Sequence, residues 1–208
     1  MTRGSGISGG NAEAAASGFA TEVALMDRAA AGTIAALCDR WPECAEAPGR
    51  AVIFCGPGWT GGVGLALARL LHDTGWSLTV FQAGPPAPGA SVLNHRRWLA
   101  RGDVAPLMAR QVAPLRDDPG FALAVNAQGQ TSKDHVAADF GGVQALLRHW
   151  QSAPRAVAPR VVALGPCLAA AAQFTVTLAG DADGAAAVAV DLELEPGIRA
   201  EAKPPDPP

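Results

Sequence analysis

The sequence predicts an α/β fold, a three-layer αβα sandwich built around a mostly parallel sheet. Three observations carry that expectation. Short apolar runs recur along the chain, segments of roughly 10–15 residues with helical spacing separate them, and glycine or proline marks the joints. A chain of 208 residues fits one domain with a sizeable core.

The elements follow in order. TEVALMDRAAAGTIAALCDRW, residues 21–41, sets Val23, Met26, Ile34 and Leu37 at helical spacing with alanine between them, an N-terminal helix packed on the domain. Pro42, Pro48 and Gly49 end it. AVIFC reads as the first strand, and 62–74 as the helix after it, closed by Gly75. SLTVF is a strand and 92–101 a helix; FALAVNA is a strand and 139–151 a helix; RVVAL is a further strand. FTVTLAG and AAVAVDLELE come with no long helix between them, so they close one edge of the sheet. WLARGDVAPLMARQ, with Trp98, Leu99 and Met108, reads as a core-facing helix or a partner surface, the core being the default. Residues 1–20, rich in Gly, Ser and Ala, and 199–208, rich in Pro, are expected to be disordered, which leaves 21–198 as the domain.

Composition narrows the function classes. Sixteen Lys and Arg against 19 Asp and Glu give a net charge of -3 with no basic run, which argues against a nucleic-acid partner. No stretch approaches the ~20 apolar residues of a membrane span, and the N-terminus has no apolar signal core, so the expectation is a soluble cytoplasmic protein with no membrane partner. Cys38, Cys44, Cys55 and Cys167 lack CxxC spacing and read as incidental thiols. His72, His95 and His149, beside Arg or Asp on predicted helices, read as solvated.

The chemistry centres on GPGWTG, residues 56–61, a G-x-G-x-x-G between a strand and a helix. Such a turn can present a helix N-terminus to a pyrophosphate. The acidic residue that would hold a ribose about 20 positions later is missing, because the second strand ends in Gln82. No Gly-Lys-Ser/Thr closes the turn, so it is not a P-loop. Gly56, Gly58, Gly61, Gly62 and Gly64 read first as residues that permit tight turning and close helix–strand packing.

The longer stretch CGPGWTGGVGLALARLLHDTGWSLTVF resembles the motif of the NAD(P)H-hydrate epimerase family, the YjeF N-terminal domain, whose usual form is CGPGNNGGDGLVAARHL followed by a glycine and a strand. ALMDRAAAG is similar to the family's LMERAG helix, LAVNAQGQT to its VDALFGTG strand and loop, and VVALGPCLAA to its AVDLPSG strand end. FTVTLAG and VAVDLELEPGI resemble its closing strands, so the resemblance runs over about 21–198. It implies a Rossmann-like fold, epimerisation of hydrated NADH or NADPH, NAD(P)HX, ahead of a partner dehydratase, and a potassium ion that organises the substrate phosphates.

Carried over by position, the resemblance puts Trp59 and Thr60 where the family has two asparagines, and Val63 where it has the motif aspartate. Leu164 replaces an aspartate serving the proton chemistry, Asn126 an aspartate near potassium, and Cys167 a serine near the metal. Val and Leu cannot exchange a proton, so the catalytic positions Val63 and Leu164 are expected to be inactive. The potassium positions Thr60, Asn126 and Cys167 are not expected to retain the ion, because a thiol is a soft ligand and the carboxylate charge is gone. Ligand contacts are implied for Gly58, Trp59, Thr60, Gly61, Gly62, Gln130, Thr131 and Lys133. In NAQGQTSKDHVAADF the alternative is a helix start capped by Ser132 or Asp134. Trp59 either fills the pocket, stacks on a ligand, or lies exposed.

The function expected is a divergent epimerase-like domain, catalytically degenerate, that binds a small nucleotide-like ligand or serves as a scaffold for a protein partner. Homodimerisation is implied by the resemblance. The alternative is an active epimerase, or another isomerase or hydrolase, with a site rebuilt from Asn126, Lys133, His135 and Cys167.

Overall fold

The computed structural model describes residues 8–118, 120–129, 137–154, 158–168, 173–181 and 184–192. The apolar run Arg50–Cys55 forms β1, and its side chains from Ala51 to Cys55 are all buried, which requires cover on both faces and a central place in a sheet. The other strands are β2 (Ser77–Gln82), β3 (Ala105–Pro106), β4 (Leu123–Ala127), β5 (Arg160–Leu168), β6 (Gln173–Asp181) and β7 (Gly184–Asp191). The order across the sheet is β3-β2-β1-β4-β5-β6-β7. Pairing is parallel from β3 to β5 and antiparallel for β6 and β7, the closing edge expected from the missing helix. Ile53 lies opposite Val80 on one side and Val125 on the other.

Alternation within each strand feeds two apolar layers. On one face Ile53, Val125, Val162 and Phe174 pack with α1 (Ser8–Arg40), α3 (Trp59–Asp73) and α4 (Ala90–Leu99); the short α2 (Glu43–Glu46) adds Cys44. On the other face Phe54, Phe81 and Ala124 pack with α5 (Ala109–Val112), the 3-10 turn Ala113–Asp117 and α6 (Ala137–Ser152). The αβα sandwich expected from sequence is therefore the observed architecture.

Several boundaries differ from expectation. α1 begins at Ser8 rather than near Thr21, so residues 8–20 are helical where disorder was expected; the alanines at 12 and 14–16 favour helix enough to extend it. α3 begins at Trp59, not 62, and takes the glycines into its first turns. WLARGDVAPLMARQ is not one helix: α4 ends at Leu99, the chain turns at Gly102, and β3 and α5 follow, since Pro106 cannot continue a helix. Trp98 is buried and its indole N–H donates to the Asp103 carbonyl at 3.0 Å, whereas Leu99 is exposed. The tail 199–208 lies outside the described residues.

Charged pairs tie the elements together. Asp27 on α1 accepts hydrogen bonds from Arg69 on α3 (2.9 Å) and Arg97 on α4 (3.2 Å), so one carboxylate joins three helices. At the opposite end of the sheet the Arg50 guanidinium bonds both carboxylate oxygens of Asp118, at 3.3 and 3.0 Å, and the Gly120 N–H adds a third bond at 2.9 Å. The Arg50 bond, reinforced by Gly120, holds the Asp118 carboxyl below its ordinary range. A depressed folded-state pKa gives stability that is present above the unfolded value, ~3.9, and is lost as pH falls through the folded one. Asp118→Asn is therefore expected to lower the urea midpoint at pH 6, and the gap from the parent should close toward pH 3. A gap that widens in acid would refute the assignment.

Candidate functional site

The site is the crevice where the chain order reverses. From β1 the sheet grows one way through β2 and the other way through β4, so the loops after β1 and β4 leave in different directions at the carboxyl end of the sheet. Three loops are stitched together there. The Gly56 N–H donates to the Ala127 carbonyl (3.0 Å), Ala83 N–H to Cys55 (2.9 Å), and Ala87 N–H to Pro57 (2.7 Å).

The turn Gly56–Gly58 delivers α3 with Gly58 as its N-cap, and no side chain caps the helix. A Cβ on Gly61 would overlap the Gly56 carbonyl oxygen, so the helix starts against the turn's own backbone. A Cβ on Gly58, by contrast, would meet nothing within 4 Å. The start of α3 thus carries no side-chain cap, and the space beside the Gly58 Cα is empty.

Residues of α4 hold this start in place. Ser91 Oγ donates to the Gly58 carbonyl (3.2 Å), and Asn94 Nδ2 donates to the Gly62 carbonyl (3.3 Å). The Ala90 N–H at the head of α4 is taken by Glu22 of α1 (3.3 Å). The sequence reading missed Ser91 and Asn94. Their spacing with Trp98, three and then four residues on, marks one buried helix face and was the available signal. Gln82, in the place of the absent ribose acid, is buried and its Oε1 lies 2.7 Å from His95 Nδ1. His95 is thus a half-buried partner of Gln82 and not the solvated residue expected.

The β4 side brings in a second polar group. Gly129 adopts φ of 73°, and a Cβ there would sit 3.1 Å from Thr60 Oγ1, so Thr60 of α3 rests on this turn. Asn126 Oδ1 accepts the Gln128 N–H at 3.3 Å. The Gln128 side chain is buried, and among the described residues neither its oxygen nor its nitrogen has a hydrogen-bond partner. Orphaned buried amides of this kind cost stability unless something meets them. Thr60, Asn126 and Gln128 offer only neutral oxygens, and among the described residues no three His, Cys, Asp or Glu side chains gather to hold a metal. Such a set suits a weakly held monovalent cation and not a divalent one.

The positions expected to be inactive are apolar and buried. Val63 is wholly buried, Leu164 is 5% exposed, and both belong to the apolar layer that also holds Phe174. Trp59 is half-buried and packs edge-on against the Phe174 ring, with centroids 5.5 Å apart. A freely exposed Trp59 is therefore excluded. Cys55, below the turn, is fully buried, and burial drives its thiol far above the ordinary range. Gln130, Thr131, Ser132, Lys133, Asp134 and His135 lie outside the described residues, as does the Cys167 side chain on β5.

A family model described as YjeF-related protein N-terminus matches residues 22–103, from α1 to just past α4. The NAD(P)H-hydrate epimerase of Rhodobacter capsulatus is 42% identical over 101 residues, 46% of this chain and 48% of that protein. That of Cereibacter sphaeroides is 40% identical over 104 residues, 43% of this chain and 46% of the relative. Over residues 22–103 the chain is thus similar to the YjeF N-terminal family. It spans about half the length of the curated relatives it matches. The crystal structure of yeast ynu0 shares the fold, with a TM-score of 0.51 and 22% identity, covering 62% of this chain and 57% of that one. The matched span holds the glycine turn, Trp59, Thr60 and Val63, all in the YjeF N-terminal motif. Asn126, Leu164 and Cys167 lie beyond it, and their correspondence rests on the resemblance of LAVNAQGQT and VVALGPCLAA alone. Among the described residues no helix is long and apolar enough to cross a membrane.

Proposed function

We propose that this chain is a divergent YjeF N-terminal domain that binds a small nucleotide-like ligand in the crevice between β1 and β4 and does not perform the epimerisation its relatives are named for. One observation carries the reading: Val63 and Leu164, at two of the three positions where the resemblance calls for a carboxylate, are buried in the apolar core. Reopening and closing a hydrated nicotinamide ring needs a proton donor and acceptor, and such assistance is typically worth ~100 to 10,000-fold. Ligand binding has separate support. An uncapped helix start with open space at Gly58 suits an anionic group, and the orphaned Gln128 amide supplies a polar contact beside it.

A second reading, an active epimerase with a rebuilt site, is favoured by 42% identity to the Rhodobacter capsulatus enzyme. A thermal-shift titration with AMP, NADH, hydrated NADH and potassium, paired with an epimerisation assay coupled to a dehydratase that consumes one epimer, separates the two. The expected result is a rise in melting temperature with AMP or hydrated NADH, by mass action on the folded state, and turnover no faster than spontaneous epimerisation. Turnover at the rate of a related epimerase would overturn the loss of chemistry. No shift with any of these compounds would overturn the ligand and leave a protein scaffold.

A further inference from the structure

On the sheet face opposite the glycine turn, α5 and the 3-10 turn run beside α6 and leave an open groove of about 250 Å³. The groove exists because the facing positions are small: Ala109 and Ala113 on one wall, Gly142 and Ala145 on the other. Val112 and Leu146, both nearly buried, form its apolar base.

Arg116 lines the groove and is exposed. Among the described residues it has no carboxylate partner; its guanidinium lies 3.4 Å from His149 Nδ1 and makes no ion pair. An apolar trough with an unmatched cation fits a molecule with an apolar body and an anionic end. We propose that this groove binds a medium-chain carboxylate, its tail over Val112 and Leu146 and its carboxylate on Arg116.

Gly142 supplies the test. A Cβ there would meet nothing within 4 Å, so Gly142→Leu starts from an unhindered Cβ on the groove wall, is expected to occupy the groove, and favours the helix. Gly141, equally open but not part of the groove lining, gives the control Gly141→Leu. Sodium octanoate titrated into the full chain by isothermal calorimetry is expected to saturate at one site. Gly142→Leu should abolish that binding with an unchanged or higher melting temperature, and Gly141→Leu should bind like the parent. Arg116→Gln should weaken octanoate about tenfold, while octanol, which lacks the charge, is indifferent to it. Absence of saturation, octanol bound as tightly as octanoate, or octanoate binding undiminished by Gly142→Leu would each overturn the proposal.

Discussion

Gly61→Ala is expected to destabilise the domain by about 3 kcal/mol or more, whereas Gly58→Ala should stay within ~0.5 kcal/mol. The two glycines stand three residues apart in one motif, and only their surroundings differ. The new methyl at Gly61 would overlap the Gly56 carbonyl oxygen, a backbone atom that cannot rotate away. That backbone is itself pinned, because the Gly56 N–H is bonded to the Ala127 carbonyl of β4. Relief would require α3 to lift from the sheet, disturbing the packing of Val63, Leu65 and Ala66. At Gly58 the backbone has φ of -84°, open to any residue, and the space beside it is empty. Urea unfolding of both variants with unchanged m-values would measure the difference. Equal losses would mean that the motif is not held together by close backbone approach.

Val63→Asp, which introduces the residue that the resemblance implies at that position, is expected to cost about 3–5 kcal/mol near neutral pH and to yield no epimerase activity. Val63 is wholly buried, with Trp59 and Phe174 packed into the same apolar layer. A carboxyl placed there has its folded-state pKa raised above ~3.9, because burial penalises the charged form. The linkage sign follows: the variant is most stable in acid, and its deficit grows as pH rises above the unfolded pKa. Unfolding followed from pH 4 to pH 8 checks this directly. A fully stable variant at pH 8, or one that turns over hydrated NADH, would show that the crevice admits water and charge at this position, and the proposed loss of chemistry would fall.

The sheet and its order of elements were legible because β1, β2 and β4 are short apolar runs separated by amphipathic segments, and local pattern suffices for those. The glycine turn was legible too, since the strand before it and the helix after it are both strong signals. Periodicity could not find β3, which has two residues, or α5, which has four. It also misplaced the start of α1, where alanine carries no apolar stripe to read. The supports of the site were hidden for another reason. Ser91 reaches Gly58, and Glu22 reaches Ala90, only after distant segments have packed, so no local pattern announces them. Gln128 is similar: its burial follows from the close approach of the turn after β1 to the end of β4 and not from its neighbours in sequence.

The reversal of strand order at β1 also bears on how the molecule assembles. The pairing of β1 with β2 aligns Arg50 with Ser77, a short crossover, while its pairing with β4 aligns Ala51 with Leu123 and must close roughly seventy residues of chain. Contacts of such long sequence separation form slowly, because the loop entropy is lost before the contact returns anything. The pairing of β1 with β4 is therefore expected to be the slowest contact of the parallel sheet to form, and a ligand seated in the crevice at its end would recognise only chains that have finished folding.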